Sequence, residues 1–97
     1  MERLTVTIDG NSFLSFIGFY KEAERALTKD LKYRTGGNLD AFNDLLSGGF
    51  GVHEYDEPIK LVWTSFQKSR EHLGQKMIET ILDIIAGHEH IELLTID

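Results

Sequence analysis

The 97-residue sequence contains no cysteine and a single proline. The absence of cysteine excludes disulfide bonds, thiolate catalysis and cysteine-ligated zinc, so we expect a fold held by its apolar core that suits a reducing compartment. No segment approaches the ~18 consecutive apolar residues of a membrane-spanning helix, and the first ten residues, with Glu2 and Asp9, lack the pattern of an export signal. We therefore expect a cytoplasmic protein that does not enter a membrane.

Basic residues are also scarce. Ten Lys and Arg stand against 16 Asp and Glu, which gives a formal net charge of −6. Proteins that bind a phosphate backbone present a basic face that displaces counterions, so direct binding of nucleic acid is disfavoured. With 41% hydrophobic and 27% charged residues the composition is typical of a globular protein, and the length predicts one domain over residues 1–97.

Alternation of β-branched and apolar residues predicts three strands, at Leu4–Ile8, Ile59–Trp63 and Ile91–Ile96. The first strand stops at a turn-forming Asp9-Gly10-Asn11. Ser12 is predicted to cap a first helix that runs to about Leu27. The apolar stripe of that helix recurs at spacings of three and four and consists of Phe13, Phe16, Ile17, Tyr20, Ala23 and Leu27.

The remaining helices follow from capping residues and glycine stops. Asn38 is predicted to cap a short helix over Leu39–Ser47, and the glycine-rich stretch 48–57 is predicted to be a loop that leads to Pro58. The polar segment Thr64–His72 is compatible with a short helix, and Gln75–Ala86 has one broad apolar side. Crossovers of this length favour an α/β fold in which a three-stranded parallel sheet packs against three to four helices.

A search for catalytic or metal-binding chemistry starts from the four histidines, which are His53, His72, His88 and His90. His88-Glu89-His90 can point two imidazoles in one direction, but no third ligand stands at a recognised metal-site spacing. A solvated turn between a helix and a strand is therefore the favoured interpretation of this segment. The run His53-Glu54-Tyr55-Asp56-Glu57 offers carboxylates for a base or a cation site, and a solvated loop explains it equally well. We expect no cofactor and no metal, with an enzyme or metal protein built on these two segments as an alternative.

Asp40 and Asp44 share one face of the short helix because they are four residues apart. Like charges at this spacing destabilise a helix by about 0.2–0.5 kcal/mol. This face is either an ordinary solvated surface or a set of fixed carboxylates that engages Arg and Lys side chains of a basic protein.

The segment Gly36-Gly37-Asn38-Leu39-Asp40-Ala41-Phe42-Asn43-Asp44-Leu45-Leu46-Ser47-Gly48-Gly49 resembles the signature of the barstar family, the intracellular inhibitors of barnase-type ribonucleases. Pro58 before a strand, Phe66 and Ser69 after it, and the closing helix and strand follow the family's order, so the resemblance covers most of the chain. It implies a barstar-like parallel sheet and a protein without catalysis of its own. The implied partner is a basic ribonuclease or nuclease toxin, inhibited as an immunity protein inhibits its toxin.

The resemblance also implies a site. In the family, the second helix and the connection before it enter the nuclease active site, and Asp40 and Asp44 match the two helix aspartates of the family. The implied partner-binding residues on this helix and beside it are Gly36, Asn38, Leu39, Asp40, Asn43, Asp44, Ser47 and Gly48.

The chain departs from the best-known inhibitor at several contact positions. Asn43 and Arg34 stand where that inhibitor has aromatic residues, with Tyr33 next to Arg34. Phe50 is expected to replace a loop aromatic, and Asp83 lies near the place of a glutamate from the last helix. Because of these departures, inhibition of barnase itself does not follow from the resemblance, and a different basic ribonuclease or toxin is an alternative partner.

A domain that keeps this fold but self-associates, or binds a partner other than a nuclease, is the second interpretation. Phe50 and Tyr55 in the glycine-rich loop are its candidate contacts. A monomer is expected for the inhibitor, with a homodimer as the alternative.

Overall fold

The computed structural model describes residues 3–29 and 36–97. Three strands and four helices follow one another along the chain: β1 (Leu4–Asp9), α1 (Phe16–Leu27), α2 (Leu39–Ser47), β2 (Ile59–Thr64), α3 (Phe66–Leu73), α4 (Gln75–Ala86) and β3 (Ile91–Thr95). The strands form a sheet in the order β1-β2-β3, and both pairs are parallel. The predicted α/β architecture, a three-stranded parallel sheet with helices, is confirmed.

The register of the sheet explains which strand residues form the core. Val6 pairs with Leu61, and Leu61 pairs with Leu93. Along β2 every second side chain is fully buried, at Ile59, Leu61 and Trp63, and the residues between them are partly exposed. Since side chains alternate across a strand, the helices cover one face of the sheet.

Three aromatic side chains join α1, α2 and β2. The rings of Phe19 and Trp63 stack with centroids 5.1 Å apart, and Phe42 meets Phe19 edge-on at 5.2 Å. All three side chains are fully buried. Aromatic pairs of this geometry add about 0.5–1.5 kcal/mol beyond the burial of their area. Phe42 therefore fixes the rotation of α2 about its axis, and with it the direction of the opposite face of that helix.

A polar contact and a close backbone approach fasten the end of β2. The indole Nε1 of Trp63 donates to the buried Oγ of Ser69, at 3.0 Å. The amide of Gly10 donates to the carbonyl of Thr64, and a Cβ at position 10 would collide with that same carbonyl oxygen. Glycine is thus required at the turn that follows β1.

The start of α1 differs from the prediction. The N-cap is Ser15, whose Oγ accepts from the amide of Gly18 at 3.3 Å, and the helix begins at Phe16. Ser12 instead donates to the carbonyl of Asp9 and closes the turn after β1. Ile17, assigned to the apolar stripe, is 67% exposed, because the buried side of the helix is centred on Phe19 and Ala23 and position 17 falls outside that arc.

The other boundaries lie close to those predicted. Helices α2 and α4 have the predicted ends, α3 confirms the short polar helix with a shift of two residues at its start, and β2 continues one residue further, to Thr64. No helix within the described ranges is both long and apolar enough to span a membrane.

Candidate functional site

Helix α2 is held at its beginning by a capping hydrogen bond. The Oδ1 of Asn38 accepts from the amide of Ala41 at 2.8 Å. Phe42, Leu45 and Leu46 fill the buried side of the helix. A helix of nine residues is marginal on its own, so α2 depends on this cap and on its packing against the core.

The outer side of α2 carries the carboxylates of Asp40 and Asp44, which were predicted to share one face of this helix. Asp40 and Asp44 are both exposed. Asp40, in the first turn, interacts favourably with the positive end of the helix dipole, whereas Asp44 is too far along the helix to gain from it. Among the ion pairs formed by residues 3–29 and 36–97, none involves either aspartate. Within that part of the chain, the face presents negative charge that no cation neutralises.

A groove of about 420 Å³ runs beside the first turn of α2. Its lining residues come from α1, from α2 and the two residues before it, and from α4; they are Phe16, Gly37, Asn38, Leu39, Asp40 and Met77. The lining is mainly apolar, and the carboxylate belongs to Asp40. Such a groove suits a long basic side chain, because the aliphatic stem of Arg or Lys packs on apolar surface while its charged end reaches a carboxylate.

The far end of α2 is fastened to the glycine-rich loop. The amide of Gly49 donates to the carbonyl of His53, and the amide of Asp56 donates to the carbonyl of Ser47, both at 2.8 Å. His53 is only 3% exposed, and its Nε2 donates to the carbonyl of Leu46 at 3.2 Å. The prediction of a solvated loop is therefore wrong for His53. The carbonyls in the last turn of a helix lack partners within the helix, and a buried imidazole supplies one here.

Gly48, between α2 and this loop, has a positive φ of 99°. A Cβ at position 48 would collide with the backbone carbonyl of Glu54. Phe50, further along, is half-buried, and its carbonyl accepts from the amide of Lys29 at 2.8 Å. The loop thus connects the ends of α2 and α1.

A second imidazole reaches the same helix end from the turn between α4 and β3. The Nε2 of His90 donates to the Leu46 carbonyl at 2.8 Å, and its Nδ1 lies 3.7 Å from Oδ1 of Asp56. The rings of His53 and His90 stack with their centroids 6.1 Å apart. Since a carbonyl oxygen only accepts, both Nε2 atoms carry hydrogen. Two imidazoles therefore cap the carboxyl end of α2 together.

The neighbouring His88 contacts the outer face of α2. Its Nε2 donates to Oδ1 of Asn43 at 2.7 Å. Burial lowers the pKa of His88, the nearby His90 lowers it further, and the Asp56 carboxylate raises it, so that the pKa lies below its ordinary value. The sequence favours a solvated turn at His88 and His90, with a metal site as the alternative, and predicts neither contact with α2. Contacts between residues 44 and 45 positions apart leave no mark in local spacing.

The histidines do not form a metal centre in the described part of the chain. No group of three or more His, Cys, Asp or Glu side chains in that part is arranged to hold a metal ion. The Nε2 atoms of His53 and His90 are both directed at the Leu46 carbonyl. Their chemistry is that of hydrogen-bond donors to a helix end.

Most of the residues proposed for the site lie together. The cluster on α2 and beside it consists of Gly36, Asn38, Leu39, Asp40, Asn43, Asp44, Ser47 and Gly48. Asp83 is exposed on α4, and no hydrogen bond or ion pair found among the described residues joins it to α2. Tyr33 and Arg34 lie outside the described residues.

Residues 3–92 match the model of a protein family described as "Barstar (barnase inhibitor)". The chain belongs to the barstar family. The match extends from β1 through α4 to the beginning of β3, so the resemblance seen around α2 applies to nearly the whole chain. A comparison with individual curated proteins found no match. Members of the barstar family are ribonuclease inhibitors rather than enzymes, which directs attention to surfaces that can contact a protein.

Proposed function

We propose that this barstar-family protein inhibits a basic ribonuclease or nuclease toxin inside the cell, by placing α2 and the connection before it in the active site of the nuclease. The observation that carries this proposal is the outer face of α2. Asp40 and Asp44 are exposed on a helix whose other side is locked into the core, and no cation from the described residues pairs with them.

The chemistry of nucleases explains why such a face inhibits. A ribonuclease holds the phosphates of RNA with Lys and Arg side chains, and carboxylates fixed on a helix form charge-assisted hydrogen bonds with the same groups. The groove beside Asp40 gives a further long basic side chain an apolar surface for its stem. The inhibitor thereby occupies the positions of the RNA phosphates without presenting a bond that can be cleaved.

The decisive experiment is a calorimetric titration of the protein against barnase and a set of other basic ribonucleases and nuclease toxins, with RNA cleavage measured in parallel. The test variant is Asp40→Ala/Asp44→Ala. The control, Glu71→Ala/Asp97→Ala, removes the same charge from exposed residues outside α2.

We expect tight binding and loss of RNA cleavage for at least one nuclease, both abolished in the test variant and retained in the control. Binding that ignores the two aspartates would overturn the proposed role of α2. Absence of binding to every nuclease would remove the inhibitor function.

Self-association remains the second candidate because Tyr55 in the loop is 73% exposed. Large aromatic side chains are enriched in protein interfaces. Sedimentation at two concentrations tenfold apart distinguishes the two functions: a dimer that forms at the higher concentration and is lost in Tyr55→Ser would favour self-association, and a monomer at both would exclude it in that range.

A further inference from the structure

The contact between His88 and Asn43 joins the turn after α4 to the middle of the proposed inhibitory face. Asn43 lies next to Asp44 in sequence and three residues after Asp40, and it is exposed. His88 is half-buried, and its hydrogen bond to Asn43 is 2.7 Å long. The turn from Gly87 to His90 also lines a groove of about 350 Å³ together with Asp56. A partner that covers the exposed face of α2 is therefore expected to contact the turn from Gly87 to His90 as well.

We propose that the turn bearing His88 is part of the partner-binding surface, and that protonation of His88 weakens binding of the cationic partner. This inference rests on the proposed function, since it concerns the same face of α2. Because Oδ1 of Asn43 accepts the hydrogen bond, Nε2 of His88 already carries hydrogen and Nδ1 takes the additional proton. Protonation then leaves the contact in place and adds a positive charge next to Asn43, on the helix that carries Asp40 and Asp44.

The groups that face His88 come from three parts of the fold. His90 lies on its own turn, with ring centroids 5.5 Å apart, Asp56 comes from the loop after α2, and Asn43 comes from α2 itself. His53 is one ring further away, stacked on His90. The lowered pKa of His88 keeps its side chain neutral at pH 7.5, and a bound cationic partner opposes its protonation further. Affinity is thus expected to be full above the pKa of His88 and to fall as the pH drops through it.

The test measures the dissociation constant of the complex between this protein and each nuclease of the set described above, barnase included, at pH 7.5 and at pH 5.0. Histidines of the nuclease titrate in the same range, so the informative quantity is the difference between variants. His88→Gln keeps an amide donor in the place of Nε2 but cannot be protonated. His72→Gln is the control, since it removes an exposed histidine from α3.

We expect all three proteins to bind the nuclease less tightly at pH 5.0 than at pH 7.5. The loss of affinity should be roughly two- to fivefold larger for the wild-type protein and for His72→Gln than for His88→Gln. Equal changes in all three proteins would overturn the inference and leave the inhibitor function standing. Failure of every nuclease to bind at pH 7.5 would overturn both.

A measurement on the protein alone tests the contact that carries the inference. The pKa of His88 is followed by NMR in the wild-type protein and in Asn43→Asp. A carboxylate at position 43 should raise that pKa by about one unit or more, because an opposite charge within hydrogen-bond distance favours the protonated ring. An unchanged pKa would show that His88 does not contact α2 in solution and would overturn the proposal whatever the binding data.

Discussion

At the scale of single residues, Asp44 is expected to contribute to partner binding and very little to the stability of the fold. Its carboxylate is exposed, lies beyond the favourable first turn of α2, and repels Asp40 one turn away. None of the ion pairs in the described ranges includes it. Its removal should therefore destabilise the folded protein little, while the proposed nuclease partner should lose a carboxylate that pairs with its basic side chains.

Asp44→Ala is predicted to weaken nuclease binding by about 2 kcal/mol or more, a loss reached by hot-spot residues of protein interfaces, barstar's own among them. The free energy of unfolding should change by less than about 1 kcal/mol. Calorimetry and urea denaturation measure the two quantities. Equal losses in both would show that Asp44 supports the fold rather than the interface.

Glu22 is a carboxylate in the opposite situation. Its side chain is 7% exposed and accepts hydrogen bonds from the amide of Asp9 at 2.7 Å and from Nε and Nη2 of Arg25 at 2.6 and 2.8 Å. Burial raises the pKa of Glu22, but the hydrogen bonds from Arg25 and Asp9 and the charge of Arg25 lower it by more. The ionised form of Glu22 thus ties α1 to the end of β1.

Glu22→Gln should lower the free energy of unfolding at pH 7 by about 1–3 kcal/mol, because the buried side chain at position 22 loses its negative charge and the charge-assisted hydrogen bonds that it accepts. A lowered pKa in the folded state contributes stability that is present above the unfolded pKa of about 4.5 and is lost as the pH falls through the folded value. The difference between the two proteins should accordingly shrink below pH 4.5. Urea denaturation between pH 7 and 3, with Glu71→Gln as control, measures it, and a difference that stays constant with pH would contradict this account.

At the scale of elements, α2 is held at both ends by side chains. Asn38 caps its beginning, and the imidazoles of His53 and His90 donate to the Leu46 carbonyl near its end. Only the amino-terminal cap is local in sequence. The exposed face of α2 is fixed in place because these contacts hold both ends of the helix and the buried side chains hold its inner side.

Replacement of Asn38 by Ala should destabilise the protein by about 1 kcal/mol, since the amide of Ala41 loses its acceptor. Asn38→Ser should restore most of that loss, because serine also caps helices well. Thermal and urea unfolding of the two variants provide the measurement. An alanine variant as stable as the wild type would mean that α2 does not need its cap.

The elements were more predictable than their ends and their long-range contacts. Periodicity and capping residues suffice for α2 and α4, whose patterns are unambiguous. Ser12 and Ser15 are both suitable caps, and only the length of the turn after Gly10 decides between them. The composition of the loop predicts solvent around His53, but the buried carbonyl that pairs with it comes from the packing of the whole chain. The contact between His88 and Asn43 was not predictable either, because it joins residues 45 positions apart that only the complete fold brings together.

At the scale of the whole molecule, the charge of the protein is expected to govern how the proposed partner approaches. The chain carries a formal net charge of −6, and two of its carboxylates stand exposed on α2. Opposite charges accelerate encounter with a basic nuclease, and salt screens the attraction over about 10 Å at 0.1 M. The fold places this charge where contact is proposed, so encounter and final contact involve the same face.

The association rate constant with a basic nuclease should fall by about tenfold or more between 25 mM and 500 mM NaCl, as electrostatic steering is screened. Asp40→Ala/Asp44→Ala should show a slower rate at low salt and a flatter dependence. Stopped-flow fluorescence follows both. A rate for the wild-type protein that is independent of salt would argue against an electrostatically guided encounter.

The exposed side of α2 can change in evolution while its buried side stays the same. Phe42, Leu45 and Leu46 pack into the core. On the same nine-residue helix, positions 40, 43 and 44 are exposed and position 47 is half-buried. Substitutions at the exposed positions should leave the packing of the core unchanged, so the specificity of the proposed binding face can change while the fold is kept. A combinatorial library randomised at those four positions would explore partner specificity within a single stable scaffold.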